Sequence, residues 1–168
     1  MLSRSKLGLA LLAVLAFAGG TWMARNARQA VPPGTQTEPI AARLVANGSG
    51  DTTVGGPCEG VTVLEFFASW CSVCESTLPE LERGAPADAR WVSIGLDQDA
   101  DAVVKTARAW HLERPVVHDA DGALQRAYGI RALPTVIVLA ADGTVVESLA
   151  GRVTADELAD GIARARAR

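Results

Sequence analysis

Two cysteines stand three positions apart in Trp70-Cys71-Ser72-Val73-Cys74, behind an apolar run and ahead of a segment with helical character. A cysteine at the first turn of a helix meets unpaired backbone N–H groups and the positive end of the helix dipole, and both favour a thiolate. The thiolate is the nucleophile in thiol–disulfide exchange. Cys74, in the same turn, is close enough to close a disulfide back onto Cys71 and is expected to be the more buried of the two. The chemistry then has two steps. Cys71 attacks a substrate disulfide and forms a mixed disulfide, and Cys74 resolves it.

Other uses of the pair carry less support. A zinc site needs two further ligands, usually a second Cys or His pair, and His111 and His118 are distant from the motif and seven positions apart. A purely structural disulfide over so short a loop stabilises little by chain entropy. A Cu(I) carrier would use the same two thiols, but no Met or His cluster accompanies them. The remaining thiol, Cys58, reads as an inert or partly exposed cysteine, a regulatory partner for an active-site cysteine, or an intermolecular cross-link.

The elements that position the pair follow from hydrophobic pattern. Val61–Ala68 is a buried strand rich in β-branched and aromatic residues. A helix follows over about 72–83, then a strand at 91–96, a helix at 100–110, a short strand at 115–118 and a short helix at 122–128. Strands at 135–140 and 144–149 flank Asp142-Gly143, a hairpin signal. A last helix opens at Thr154, with Glu157 completing a capping box. Strands that first alternate with helices and then form a hairpin predict an α/β fold: a central mixed sheet flanked by helices.

The 168-residue chain is 49% hydrophobic and carries a formal charge of −3, so it can build a core and lacks the basic excess of a nucleic-acid binder. Arg4 and Lys6 precede an uncharged run from Leu7 to Ala24, long enough to span a bilayer, so residues 1–24 read as a signal-anchor or signal peptide. Ala16-Phe17-Ala18 fits a cleavage site, whereas Arg25, Arg28 and the length of the run favour retention. Residues 25–57 hold Val31-Pro-Pro-Gly34, Asn47-Gly-Ser-Gly50 and Gly55-Gly-Pro57 and read as a linker, with a short strand possible near 40–45. The globular domain is then 58–168.

The stretch Val63-Leu-Glu-Phe-Phe-Ala-Ser-Trp-Cys-Ser-Val-Cys74 resembles the strand and active-site motif of the thioredoxin superfamily. Pro79 matches its helix-kinking proline, and Ala132-Leu133-Pro134-Thr135 its cis-proline loop. Tyr128-Gly129-Ile130-Arg131 and the extra segment 97–122 are similar to the TlpA/ResA-like branch of membrane-anchored thiol–disulfide oxidoreductases. The resemblance covers about residues 53–166. Two departures stand out: Ser72-Val73 replaces the more common dipeptides, and the branch's N-terminal hairpin is shortened or unrecognisable.

The resemblance implies roles. Cys71 and Cys74 are the redox couple. Pro134, if cis, faces the disulfide, and Leu133 offers its backbone to an extended substrate. Trp70 covers the site and shapes substrate contact. Glu65, an acid within an apolar strand six residues before Cys71, matches a buried carboxyl that relays a proton to or from the resolving cysteine. Burial would raise its pKa and suit it to that task, the alternative being a solvent-facing carboxylate. No cofactor and no metal are called for. The implied setting is the periplasmic face of the bacterial inner membrane, with protein disulfides as substrates and a DsbD/CcdA-type membrane electron donor. Cytochrome c maturation is one such role. A dithiol oxidase or a copper-stress, Cu(I)-handling protein is the alternative.

Overall fold

The computed structural model describes residues 30–168. The apolar N-terminal run expected to export or anchor the chain lies outside them. No helix among the described residues is long and apolar enough to cross a membrane.

An antiparallel hairpin of β1 (Ile40–Ala46) and β2 (Asp51–Val54) comes first. The chain continues through β3 (Thr62–Phe67), α1 (Ser72–Gly84), β4 (Arg90–Gly95), α2 (Ala100–Ala109) and β5 (Val116–His118). It closes with α3 (Ala123–Ala127), β6 (Thr135–Leu139), β7 (Val145–Ala150) and α4 (Ala155–Arg166). All seven strands join one sheet in the order β2-β1-β5-β4-β3-β6-β7. β3, β4 and β5 run parallel, while β6, β7 and β1 run antiparallel to their neighbours, so the sheet is mixed.

Every residue of β3 is buried, as an apolar strand in the middle of a doubly covered sheet must be. Its alternating side chains serve two layers. Leu64 and Phe66 pack with Ile94, Leu124 and Tyr128 on the α3 face. Val63 and Phe67 point the other way. Val63 packs with Leu81, Leu158 and Ile162, and Phe67 with Leu78, Trp110, Cys71 and Cys74. α1, α2 and α4 therefore cover one face of the sheet. The α4 capping box forms as expected, with Thr154 and Glu157 exchanging side-chain and backbone hydrogen bonds.

The linker expected over 25–57 is corrected: its described part, residues 30–57, is packed structure. β1 pairs with β5 as well as with β2, and Val31 and Val54 are buried in the core layer that holds Tyr128. The glycines and prolines that suggested flexibility instead make tight turns. Gly55 and Gly56 have φ of +80° and +69°, and a Cβ on Gly55 would lie 2.3 Å from the Tyr128 hydroxyl oxygen. The Thr37 hydroxyl donates to the Gly143 carbonyl at 2.8 Å and accepts from the Gly56 N–H at 3.0 Å. The domain thus begins well before residue 58, and the hairpin is present.

Candidate active site

The loop after β3 delivers Cys71 to the N-cap of α1, where its Sγ accepts a hydrogen bond from the Cys74 N–H at 3.2 Å. The two cysteines are joined in a disulfide. Cys71 keeps 6% of its surface exposed and Cys74 none, so an incoming group reaches Cys71 first. Pro79 lies inside α1. Trp70 stands 74% exposed, a large apolar surface immediately beside the disulfide.

The loop is held from behind by a residue the sequence reading did not single out. Asp97, buried just after β4, accepts from the Ser69 N–H at 3.0 Å and from the Ser69 hydroxyl at 2.6 Å. The His118 Nε2 lies 2.8 Å from the Asp97 carbonyl oxygen, tying the same turn to the end of β5. Bonds from Ser69, two residues ahead of Cys71, to the Asp97 carboxylate fix where the chain leading to Cys71 leaves the sheet.

The Leu133–Pro134 peptide bond is cis. Antiparallel pairing of β6 with β3 sets Thr135 opposite Phe66, which carries Pro134 to the end of β3 where the cysteine loop departs. Leu133 packs against the cluster that contains Cys71 and Cys74. The Pro134 carbonyl accepts from the Gly151 N–H at 2.8 Å, and the Thr135 hydroxyl caps the Ala132 carbonyl at 2.7 Å. The structure thus brings together Trp70, Cys71, Cys74, Leu133 and Pro134.

Glu65 is fully buried on the sheet face that α1 covers, so the solvent-facing alternative does not apply. Its Oε1 accepts from the Ser93 hydroxyl at 2.6 Å, while its Oε2 has no hydrogen-bond partner. Burial, first, and the neighbouring Glu82 carboxyl, second, push its pKa well above the ordinary carboxylate range, against a smaller opposing effect of the Ser93 hydrogen bond. Glu82 is a second buried acid that the sequence reading passed over. A signal for it existed: Cys74, Thr77, Leu78, Leu81 and Glu82 are the buried positions of α1, the spacing of one helix face.

Cys58 is a half-buried free thiol whose Sγ lies 2.8 Å from the Thr62 hydroxyl, at the opposite end of β3 from the disulfide. His111 is exposed. Among the described residues no three His, Cys, Asp or Glu side chains gather in a way that could hold a metal ion.

Comparison with known proteins gives this geometry a context. The chain is 31% identical over 104 residues to the sporulation thiol-disulfide oxidoreductase A of Bacillus subtilis, covering 58% of this chain and 63% of that protein. It is 27% identical over 99 residues to the thiol-disulfide oxidoreductase ResA of Bacillus thuringiensis, covering 56% and 57%. The match therefore spans less than two thirds of either relative. Among solved structures, a secreted Mycobacterium tuberculosis disulfide oxidoreductase homologous to E. coli DsbE superposes with a TM-score of 0.64 at 23% identity, over 74% of this chain and 95% of that one. At that identity the likeness establishes the thioredoxin-like fold. The Redoxin family model matches residues 29–161, from the segment ahead of the β1–β2 hairpin into the last helix, and the chain belongs to that family.

Proposed function

We propose that this protein is a thiol–disulfide oxidoreductase that reduces protein disulfides through the Cys71–Cys74 couple. The observation that carries the reading is the pairing of a slightly exposed Cys71 Sγ at the N-cap of α1 with a fully buried Cys74 in the same turn. The helix terminus favours the thiolate of Cys71, and the buried partner is reserved for resolution. The names of the two Bacillus relatives support the same chemistry.

Substrate is taken at Trp70 and the Leu133–Pro134 turn. The exposed indole supplies apolar contact, and the backbone of Leu133 offers hydrogen bonds to an extended segment of the client. Glu65 receives the proton of Cys74 as that thiol becomes the attacking thiolate. Residues 1–24 hold the chain at the periplasmic face of the bacterial inner membrane, where a membrane electron donor of the DsbD/CcdA type returns it to the dithiol. Cytochrome c maturation is one setting for such a reductant.

Equilibrating the full chain with a dithiol buffer tests the direction of electron flow. A potential near the reducing end of the range for this fold, about −270 mV, is expected for a reductase. A value near about −120 mV would make the protein a disulfide donor instead. Cys74→Ser should trap a mixed disulfide between Cys71 and a client, and Cys71→Ser should form none. Absence of any reversible couple would sink the oxidoreductase reading.

A further inference from the structure

Two carboxyls, Glu65 of β3 and Glu82 of α1, are buried on the sheet face that α1 covers, where one would serve. Glu65 has no exposed surface, and Glu82 keeps 6%. The Ser93 hydroxyl lies between them, 2.6 Å from the Glu65 Oε1 and 3.4 Å from the Glu82 Oε1. The Glu82 Oε2 accepts from the Glu113 backbone N–H at 2.7 Å, so this carboxyl is anchored outward, toward the loop that follows α2. Glu82 also lines an open groove between α1 and the end of α2, together with Glu75, Pro79, Trp110, His111 and Glu113. Eight residues separate Cys74 from Glu82, two turns and about 12 Å along the helix axis. The groove therefore reaches solvent well away from the surface where a client covers Cys71.

We propose that Glu82 is the outer carboxyl of a proton relay that serves Cys74 through Glu65 and discharges into the groove between α1 and α2. The inference rests on the oxidoreductase reading and deepens it. The Cys71 thiolate attacks the client disulfide, forming one sulfur–sulfur bond and expelling one client thiolate. The Cys74 thiol gives its proton to the Glu65 carboxylate. The resulting Cys74 thiolate attacks the Cys71 sulfur, closes the Cys71–Cys74 disulfide and expels the second client thiolate. The proton passes from Glu65 by way of the Ser93 hydroxyl to Glu82 and out to water. The two client thiolates take up two protons from solvent, equal to those Cys71 and Cys74 gave up. Two electrons move from the enzyme dithiol to the client disulfide.

Glu82 acts through Glu65 and touches neither cysteine, so the decisive readout is a pH profile. The charged and titratable groups around it are Glu65 from β3, Glu75 and Arg83 on its own helix, and His111, Glu113 and Arg114 from the loop after α2. The Arg114 guanidinium donates to the Glu82 backbone carbonyl at 3.4 Å, not to its side chain. Glu65 is therefore the carboxyl that Glu82 most directly affects.

The test follows closure of the Cys71–Cys74 disulfide in the reduced full chain, with oxidised glutathione as the probe, from about pH 5 to about pH 9. The wild type should show an acid limb with a midpoint above the ordinary carboxylate range. In Glu82→Gln, which keeps an acceptor for the Glu113 N–H, that midpoint should fall by about one pH unit or more. In Ser93→Ala, which removes a hydrogen bond to the Glu65 carboxylate, it should rise. Opposite signs separate the relay from mere loosening, which would admit water and lower both. The infrared band of a protonated carboxyl, followed against pH in the wild type and lost in Glu65→Gln, gives a second measurement that needs no Glu82 variant. An unshifted midpoint in Glu82→Gln, equal downward shifts in both variants, or no such band in the wild type overturns the relay. A wild type without a reversible couple overturns the oxidoreductase reading and the relay together; a normal couple with an unshifted midpoint overturns the relay alone.

Discussion

With no exposed surface and one oxygen unpartnered, Glu65 can ionise only at the expense of the folded state. The linkage has a definite sign. Its folded pKa lies above its unfolded one, chiefly through burial and then through the Glu82 carboxyl, so the folded state binds the proton more tightly. Stability from this group is fully present below about pH 4.3 and is lost as pH rises through the raised folded value. Within that window the loss is about 1.4 kcal/mol per pH unit. Glu65→Gln cannot ionise, so urea midpoints of the oxidised variant should lack the decline that the wild type shows as pH rises above the ordinary carboxylate range. Parallel pH dependence in the two proteins would show that Glu65 is not the titrating group. Glu65 was legible in the sequence because an acid interrupts an apolar strand. Glu82 was legible only as a position on the apolar face of α1, and Ser93 and Asp97 were not, because each acquires its role from a partner far along the chain. Ser93 meets Glu65 and Asp97 meets Ser69, each across 28 residues of sequence.

The β1–β2 hairpin shows where a pattern of residue types misleads. Gly55-Gly-Pro57 has the composition of a linker, yet the backbone needs those glycines for positive φ in a crowded place. Composition reports which residues bend easily, not whether something packs against the bend. The β3, β4, β6 and β7 strands were legible because they are rich in β-branched and aromatic residues. β1 was legible only as a short strand near 40–45 and β2 not at all, since IAARLVA and DTTV carry neither a continuous apolar run nor a clear alternation of apolar and polar residues. The hairpin is locked to the β6–β7 turn at Gly143, where φ is +84° and a Cβ would meet the Gly56 carbonyl carbon at 2.7 Å. Gly143→Ala must relieve both the strained φ and a backbone clash, so it should cost about 1–3 kcal/mol, read from urea unfolding. A loss under about 0.5 kcal/mol, the size of an ordinary surface change, would mean that the hairpin is not held there.

Across the molecule as a whole, β3 separates two thiol environments. The disulfide sits past Phe67, at its C-terminal end, beside the cis Leu133–Pro134 bond. Cys58 sits at the other end, with its N–H donating to the Ala141 carbonyl at 2.9 Å and its Sγ against Thr62. Five strand steps from Thr62 to Phe67 make about 17 Å at 3.3 Å per residue. A disulfide requires Cα atoms within about 7 Å, so Cys58 cannot reach either active-site cysteine without taking the sheet apart. That removes the regulatory-partner reading of Cys58 and leaves a bystander thiol or a cross-link to another molecule. Cys58→Ser should therefore leave the potential of the Cys71–Cys74 couple unchanged within about 10 mV, a shift that corresponds to about 0.5 kcal/mol for two electrons. Peptide mapping of the oxidised wild type should find Cys71 joined to Cys74 and Cys58 open to alkylation. A mapped bond from Cys58 to Cys71 or Cys74 within one chain would mean that the protein visits an arrangement in which the two ends of β3 come together, and the sheet described above could not be the only folded state.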